Sequence, residues 1–369
     1  MKVKPEPARD LPAEPGRLLV LAPNWLGDIV MALPALADVR RQWPAAELTV
    51  AARGAFAPLF GLVPGVNSVV PLSGGGMRAL ASLAGDTATL TAGAHDAALL
   101  LPNSFRAAWL VSRARIPARW GYGTDFRGPL LTEAVRRPRG KRIHQAEYYQ
   151  HLTSALGFPP GPLRAALRPP EDALTSATAL LSRYGWKGER LVGLAPGAAY
   201  GWAKRWPPAY VGALATYLTR DLDLRPVLVG APADRGTARD VAIELRRLAG
   251  ADGSAAMLDL VGETDLVTLT GVLAQCSAFV ANDSGAMHLA AALGVPVTAI
   301  FGPTREWATA PLSAESGPPA TIVKTDVWCR PCMLRNCPID HRCMTRISPE
   351  DVLASVAAQI SPSPPGRPA

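Results

Sequence analysis

The sequence predicts an α/β protein built from two doubly wound, parallel-sheet domains in tandem. Three observations carry that reading. Short apolar runs alternate with segments of helical periodicity along the whole chain, and the runs are continuously apolar, as strands covered on both faces are. At 369 residues the chain is too long for one ordinary domain. Near its middle, 157–172 (GFPPGPLRAALRPPED) holds five prolines and no periodic pattern, which marks a boundary.

Taken in order, LLVLAP (18–23) reads as a short buried strand. Asn24 then opens a turn, and 27–43 reads as a helix with Val30, Leu33 and Ala37 at helical spacing. Pro34 lies inside that pattern and is expected to kink the helix or shift its start. A strand follows at 48–52, a helix-like stretch before Pro64, a strand at 96–101, a helix at 105–116, a short strand at 118–123 and a helix at 143–156. Beyond the boundary the logic repeats. Helices are expected at 173–184, 208–218, 237–248, 266–274 and 284–293, and strands at 191–196, 225–230, 257–262, 277–283 and 296–302. A last helix fits 349–360, and the tail SPSPPGRPA is expected to be disordered. The expected organisation is a flexible extension (1–17), an N-terminal domain (18–170), a C-terminal domain (171–348) and a terminal helix with a tail (349–369).

Apolar residues make up 49%, enough for a sizeable core. Lys and Arg number 38 against 30 Asp and Glu, a net charge of +8, which suits an anionic partner such as a phosphorylated nucleotide or a lipid head group, or simply serves solubility. No dense basic block with interleaved aromatics appears, so nucleic acid is not an expected partner. Residues 1–17 lack the apolar core of a signal peptide. The longest strongly apolar stretch, 289–301, contains Gly294 and Pro296 and falls short of the roughly 20 residues of a spanning helix. A cytoplasmic protein is expected, one that touches a membrane surface at most.

Ligands of doubly wound sheets collect beyond the carboxyl ends of the strands, and two such domains form a cleft between them. The informative turns all follow strand ends. In PNWLGD (23–28), Asp28 projects from the helix start, where it either favours the helix dipole or serves as a general base. No GxGxxG follows that strand, which weighs against a dinucleotide-binding dehydrogenase. In PGAAYGWAKRWP (196–207), Lys204 offers a point charge to a diphosphate and Arg205 a fork or an internal ion pair, or the loop is simply solvated over a packed Trp206. In ANDSGAMHLAAALG (281–294), amides around Ser284, Gly285 and Ala286 make an anion site at a helix start, and Ser284 adds a hydroxyl donor. Asp283 fits there as an N-cap or as an acceptor for sugar hydroxyls. His288, one turn on, is either structural or part of the site. In GAPADRG (230–236), Asp234 receives ribose hydroxyls or caps the next helix.

There are five cysteines. Cys276 lies in an apolar, helix-like segment and reads as core. Cys329, Cys332, Cys337 and Cys343 (CRPCMLRNCPIDHRCM, 329–344) are spaced C-x2-C-x4-C-x5-C, with His341 as a substitute ligand. Either the four thiolates hold a tetrahedral structural metal, or they form a packed, redox-labile knot of free thiols.

PNWLGDIVMALPAL, PGAAYGWAKRWP, NDSGAMHLAAALGVP and the C-terminal cysteine segment, in that order and spacing, resemble the bacterial ADP-heptose:lipopolysaccharide heptosyltransferases of glycosyltransferase family 9. The similarity spans about 18–355 and is greatest to the heptosyltransferase II branch. It implies the GT-B architecture, two Rossmann-like domains facing each other across a cleft, with the acceptor taken by the N-terminal half and the ADP-sugar by the C-terminal half. It also implies inverting transfer without a cofactor or catalytic metal. The donor would be ADP-L-glycero-β-D-manno-heptose and the acceptor a heptose linked to Kdo and lipid A. The chain would work as a monomer, peripheral at the cytoplasmic face of the inner membrane. By the same resemblance Asp28 matches the proposed general base, Lys204 the phosphate-binding lysine, Asp283 the acid near the heptose, Ser284 and Gly285 the diphosphate-binding pair, and His288 a motif histidine. Ala231 and Pro232 stand where some relatives carry an acid, which leaves Asp234 as the nearest. Ala198 and Ala199 stand where others carry hydroxyls. The rival readings are a heptosyltransferase I or III with another acceptor, and a nucleotide-diphosphate-binding protein without turnover.

Overall fold

The structure, a computed structural model, describes residues 11–73, 79–138, 142–254, 257–315 and 317–360. Most of the expected N-terminal extension (1–10) and the tail expected to be disordered (361–369) lie outside the described residues. The chain divides into two compact units, Met1–Arg168 and Pro169–Ala369.

In the first unit the strands are β1 (Arg17–Leu21), β2 (Glu47–Arg53), β3 (Ser68–Leu72), β4 (Ala97–Leu100), β5 (Ala118–Tyr122) and β6 (Glu133–Val135). They pair in parallel in the order β3-β2-β1-β4-β5-β6. The central strands explain their own position: β4 is buried at every residue and β1 at all but its first, so both faces must be covered. The cover comes from α1 (Leu26–Gln42), α2 (Ala79–Ala92), α3 (Phe105–Arg113) and α4 (Gln145–Ala155). Helix α1 continues through Pro34, so the proline does not set its start; Trp25 is the N-cap, and burial of the helix on both sides of Pro34 holds it together. Helix α4 begins with a reciprocal cap. The His144 side chain accepts from the Ala146 amide (3.1 Å), while the Glu147 carboxylate accepts from the His144 amide (2.9 Å). It packs along α1.

The second unit repeats the topology. It contains α5 (Glu171–Arg183), β7 (Leu191–Ala195), α6 (Pro208–Leu222), β8 (Arg225–Leu228), α7 (Arg235–Ser254), β9 (Leu258–Asp259), α8 (Leu266–Ala274), β10 (Cys276–Asn282), α9 (Gly285–Ala292), β11 (Val297–Phe301), α10 (Glu306–Thr309), β12 (Thr321–Lys324), α11 (Arg342–Thr345) and α12 (Pro349–Ile360). The parallel order is β12-β11-β10-β7-β8-β9. Cys276 opens β10 rather than sitting in a helix, and burial pushes its thiol up to about 12. Strands β3, β6 and β12 and helix α2 are additions to the elements read from sequence. No helix among the described residues is long and apolar enough to cross a membrane.

Helices α5 and α8 pack closely because Gly271 lets backbone meet backbone. A Cβ at that position would lie 2.2 Å from the Ala173 carbonyl oxygen. Alanine is the better helix former by about 1 kcal/mol, yet Gly271→Ala is expected to destabilise the unit by about 1–3 kcal/mol through overpacking. Urea unfolding measures this; an unchanged or higher midpoint would mean that the helices separate freely.

Candidate functional site

In the second unit one buried amide at the end of β10 fastens the chain that follows β7. Asn282, at the end of β10, is 1% exposed. Its Nδ2 donates to the Pro196 carbonyl just past β7 (2.7 Å), and its Oδ1 accepts from the Trp206 amide (3.2 Å). The loop 196–206 is thereby fastened at both ends. Trp206 is itself buried and donates its indole N–H to the Ile347 carbonyl (3.1 Å).

Lys204 lies within that loop. Its Nζ donates to Asp283 Oδ2 at 2.6 Å and to the Asp283 carbonyl at 3.3 Å, and sits 4.7 Å from the centroid of the Tyr200 ring. Thr304, in the turn after β11, donates its hydroxyl to the same Asp283 Oδ2 (2.6 Å). Asp283 is therefore not the N-cap of α9. It is a buried carboxylate that holds the ammonium in one place. The N-cap is Ser284, and its side chain makes no capping bond, so the first amides of α9 at Gly285 and Ala286 have no side-chain acceptor. Ser284 Oγ is buried without a hydrogen-bond partner among the described residues. Uncapped amides, an orphaned hydroxyl and a fixed ammonium on neighbouring strand ends form a cradle for an anion. His288 is buried one turn further along α9.

Asp234 turns inward on its own short turn. Its Oδ2 accepts from the Ala231 amide (3.1 Å), its Oδ1 lies 3.7 Å from Arg205 Nη2, and a Cβ on Gly197 would collide with the carboxylate at 2.4 Å. Arg205 also donates to Thr237 Oγ1 (3.2 Å). The internal ion pair, one of the two roles weighed for Arg205, is the one this structure contains.

The cysteine segment clasps the Lys204 loop. Tyr200 donates its hydroxyl to the Met333 carbonyl (2.7 Å), the Ala203 amide donates to the Arg335 carbonyl (2.9 Å), and His341 Nε2 donates to the Ala203 carbonyl (2.7 Å). The His341 ring also stacks on Trp202 at 4.5 Å, so it serves the loop. All five cysteines are free thiols, and no group of three His, Cys, Asp or Glu among the described residues could hold a metal ion. Burial and the neighbouring thiols push Cys343 up to about 11.

In the first unit Asp28 stands in the first turn of α1. The Tyr149 hydroxyl, on α4, hydrogen-bonds to it, and Gln145 contacts the same hydroxyl. Tyr149 is buried, and burial followed by the Asp28 charge pushes its ionisation far up, so it remains a donor. Sequence reasoning assigned no role to Tyr149, Thr304 or Asn282. The last two follow strand ends and share that signal; Tyr149 lies mid-helix and has none.

Comparison with known proteins follows the same lines. The family model described as glycosyltransferase family 9 (heptosyltransferase) matches residues 87–342. Lipopolysaccharide heptosyltransferase 2 of Salmonella typhimurium is 32% identical over 307 residues, covering 80% of this chain and 86% of that protein. Among solved structures, the ADP-heptose lps heptosyltransferase II of E. coli is 28% identical with a TM-score of 0.77, covering 93% of this chain and 98% of that one. A glycosyl transferase family 9 structure from Veillonella parvula shares the fold at 21% identity, with a TM-score of 0.80 and coverage of 96% and 99%.

Proposed function

The chain belongs to glycosyltransferase family 9, the heptosyltransferases, and we propose that it transfers L-glycero-D-manno-heptose, with inversion, from ADP-L-glycero-β-D-manno-heptose to the first heptose of the lipopolysaccharide inner core. This is the reaction of heptosyltransferase II. The observation that carries the reading is the Lys204–Asp283 pair beside the uncapped start of α9, in a chain 32% identical to a heptosyltransferase 2.

The acceptor hydroxyl attacks the anomeric carbon of the donor from the face opposite ADP. Asp28 takes the hydroxyl proton as the bond forms, oriented by the Tyr149 hydrogen bond. Negative charge grows on the departing diphosphate. Lys204, the amides of Gly285 and Ala286 and the Ser284 hydroxyl stabilise it, and because Asp283 and Thr304 already fix the ammonium, little reorganisation remains at the moment of reaction. Asp283 meets the heptose and His288 backs the start of α9, while Asp234, turned inward on the Ala231 amide and Arg205, supports the loop rather than facing the ribose. The cations are the chain's own, and transfer proceeds without a metal.

The protein would work as a monomer at the cytoplasmic face of the inner membrane, in peripheral contact with the lipid. In support, Trp328 (76% exposed), with Arg342 over its ring, and Met333, Leu334 and Ile339 of the cysteine segment stand exposed. Indole, aliphatic and guanidinium groups together suit an anionic interface.

Mass spectrometry of products from ADP-heptose and a one-heptose core acceptor, with a strong chelator present, tests the reaction. Addition of one heptose is expected. Transfer only to a heptose-free acceptor would assign a heptosyltransferase I, and ADP binding with neither transfer nor donor hydrolysis would leave a binding protein. Asp28→Asn is expected to retain ADP affinity and lose about 10²–10⁴ in kcat; near-normal turnover removes Asp28 from the base role. Lys204→Ala is expected to lose roughly a hundredfold in kcat/KM, about 3 kcal/mol, and to weaken ADP binding. Unchanged titration and rate would refute the phosphate assignment. The double variant Trp328→Ala, Leu334→Ala should sediment less with anionic phospholipid vesicles than the wild type; equal sedimentation would remove this patch from the lipid contact.

A further inference from the structure

The ammonium that Asp283 holds has a second cation beside it. Arg335 lies in the middle of the cysteine segment, between Cys332 and Cys337. Its guanidinium carbon stands 5.3 Å from the centroid of the Tyr200 ring, and Lys204 Nζ stands 4.7 Å from the same centroid. Two positive groups from distant parts of the chain thus meet one aromatic ring. The ring is itself fixed, because the Tyr200 hydroxyl donates to the Met333 carbonyl (2.7 Å). The backbone of Arg335 is held as closely. Its carbonyl accepts from the Ala203 amide (2.9 Å), and a Cβ on Gly201 would lie 2.5 Å from that carbonyl oxygen and 2.9 Å from the Arg335 Cα. The root of the side chain is pinned against the loop that carries Lys204, while the residue as a whole is exposed.

The charges around the cradle leave Arg335 over. Lys204 is paired with Asp283 at 2.6 Å, and Arg205 stands 3.7 Å from Asp234. Arg330 and Arg342, on the same segment as Arg335, pair with Glu306 (2.8 Å) and Asp340 (2.8 Å), whereas Arg335 makes no ion pair among the described residues. Two cations against one ring repel each other, and the face of a tyrosine is a weak counter-charge. An anion that both can reach relieves that repulsion. The loop has little else to give such an anion. From Pro196 to Ala203 its side-chain donors are the Tyr200 hydroxyl, spent on Met333, and the Trp202 indole.

We propose that Arg335 is a second direct ligand of the donor diphosphate, supplied by the cysteine segment, with Lys204 as the fixed cation and Arg335 as the one that swings onto the anion. The inference rests on the reading that the cradle receives an ADP-sugar. A guanidinium fork takes two phosphate oxygens at once, where an ammonium acts as a point charge. Its contact strengthens as charge moves onto the departing ADP, so Arg335 acts on kcat as well as on affinity. The clasp between the cysteine segment and the Lys204 loop then has a chemical purpose: it sets the guanidinium beside the ammonium.

The test is calorimetric titration of the full-length protein with ADP and, as an uncharged control, adenosine, alongside kcat for heptose transfer. The contacts of Arg335 with the loop run through its backbone, so Arg335→Gln keeps them and should fold as the wild type does. It should weaken ADP binding about tenfold or more, leave adenosine binding unchanged and lower kcat about tenfold. Arg335→Lys should recover part of the ADP affinity, since the charge returns without the fork. Wild-type ADP affinity in Arg335→Gln overturns the proposal. An equal loss for ADP and adenosine also overturns it, because the substitution would then have loosened the loop rather than removed an anion contact. Arg335-dependent ADP binding in a protein that transfers no heptose keeps the second ligand and removes the reaction; heptose transfer with wild-type ADP affinity in Arg335→Gln does the reverse.

Discussion

A single carboxamide organises the second unit. Asn282 joins the end of β7 to the start of the α6 segment, and both of its bonds are buried, where an amide left unmade costs about 1–3 kcal/mol. With the loop held at Pro196 and Trp206, Lys204 can reach only so far, and it reaches Asp283, the next residue along the chain from Asn282. The cradle is thus a consequence of two adjacent side chains at one strand end. One fastens the loop and the other receives the cation that the loop carries.

The Lys204–Asp283 pair is nearly buried, with side chains 13% and 6% exposed. Desolvation makes such a pair a weak source of net stability. Its value lies in geometry. The ammonium is fixed between a carboxylate, a backbone carbonyl and the Tyr200 ring before any ligand arrives. The cysteine segment adds to this from the other side, because three hydrogen bonds and a ring stack tie it to 200–203. Gly201 is part of that clasp: the Arg335 carbonyl would lie 2.5 Å from a Cβ there, so only glycine lets the two backbones meet. The cysteines themselves are spectators of these contacts, which run through Met333, Arg335 and His341.

Lys204 and Arg127 are largely buried cations held in different ways. In the second unit, Lys204 is neutralised by a partner and held still. In the first, Arg127 is buried against carbonyls, and burial lowers its pKa to about 10, which still leaves it charged at neutral pH.

Much of the fold was legible because central parallel strands are buried on both faces. The apolar runs of β1, β4, β7, β10 and β11 stand out in the sequence for that reason. Strands β3, β6 and β12 did not, since sheet edges carry mixed burial, and β3 contains Pro71. Cys276 was placed in a helix because a short apolar run has no period of its own. The sequence by itself determined the alternating architecture, the family, and the turns that follow strand ends, since each depends on local pattern. Tertiary structure decided which groups meet. Lys204 and Asp283 are 79 residues apart, Tyr149 reaches Asp28 from another helix, and Arg106 on α3 meets Asp86 on α2. Pairings of that kind are set by how helices and strand ends pack in space, and no local periodicity encodes them.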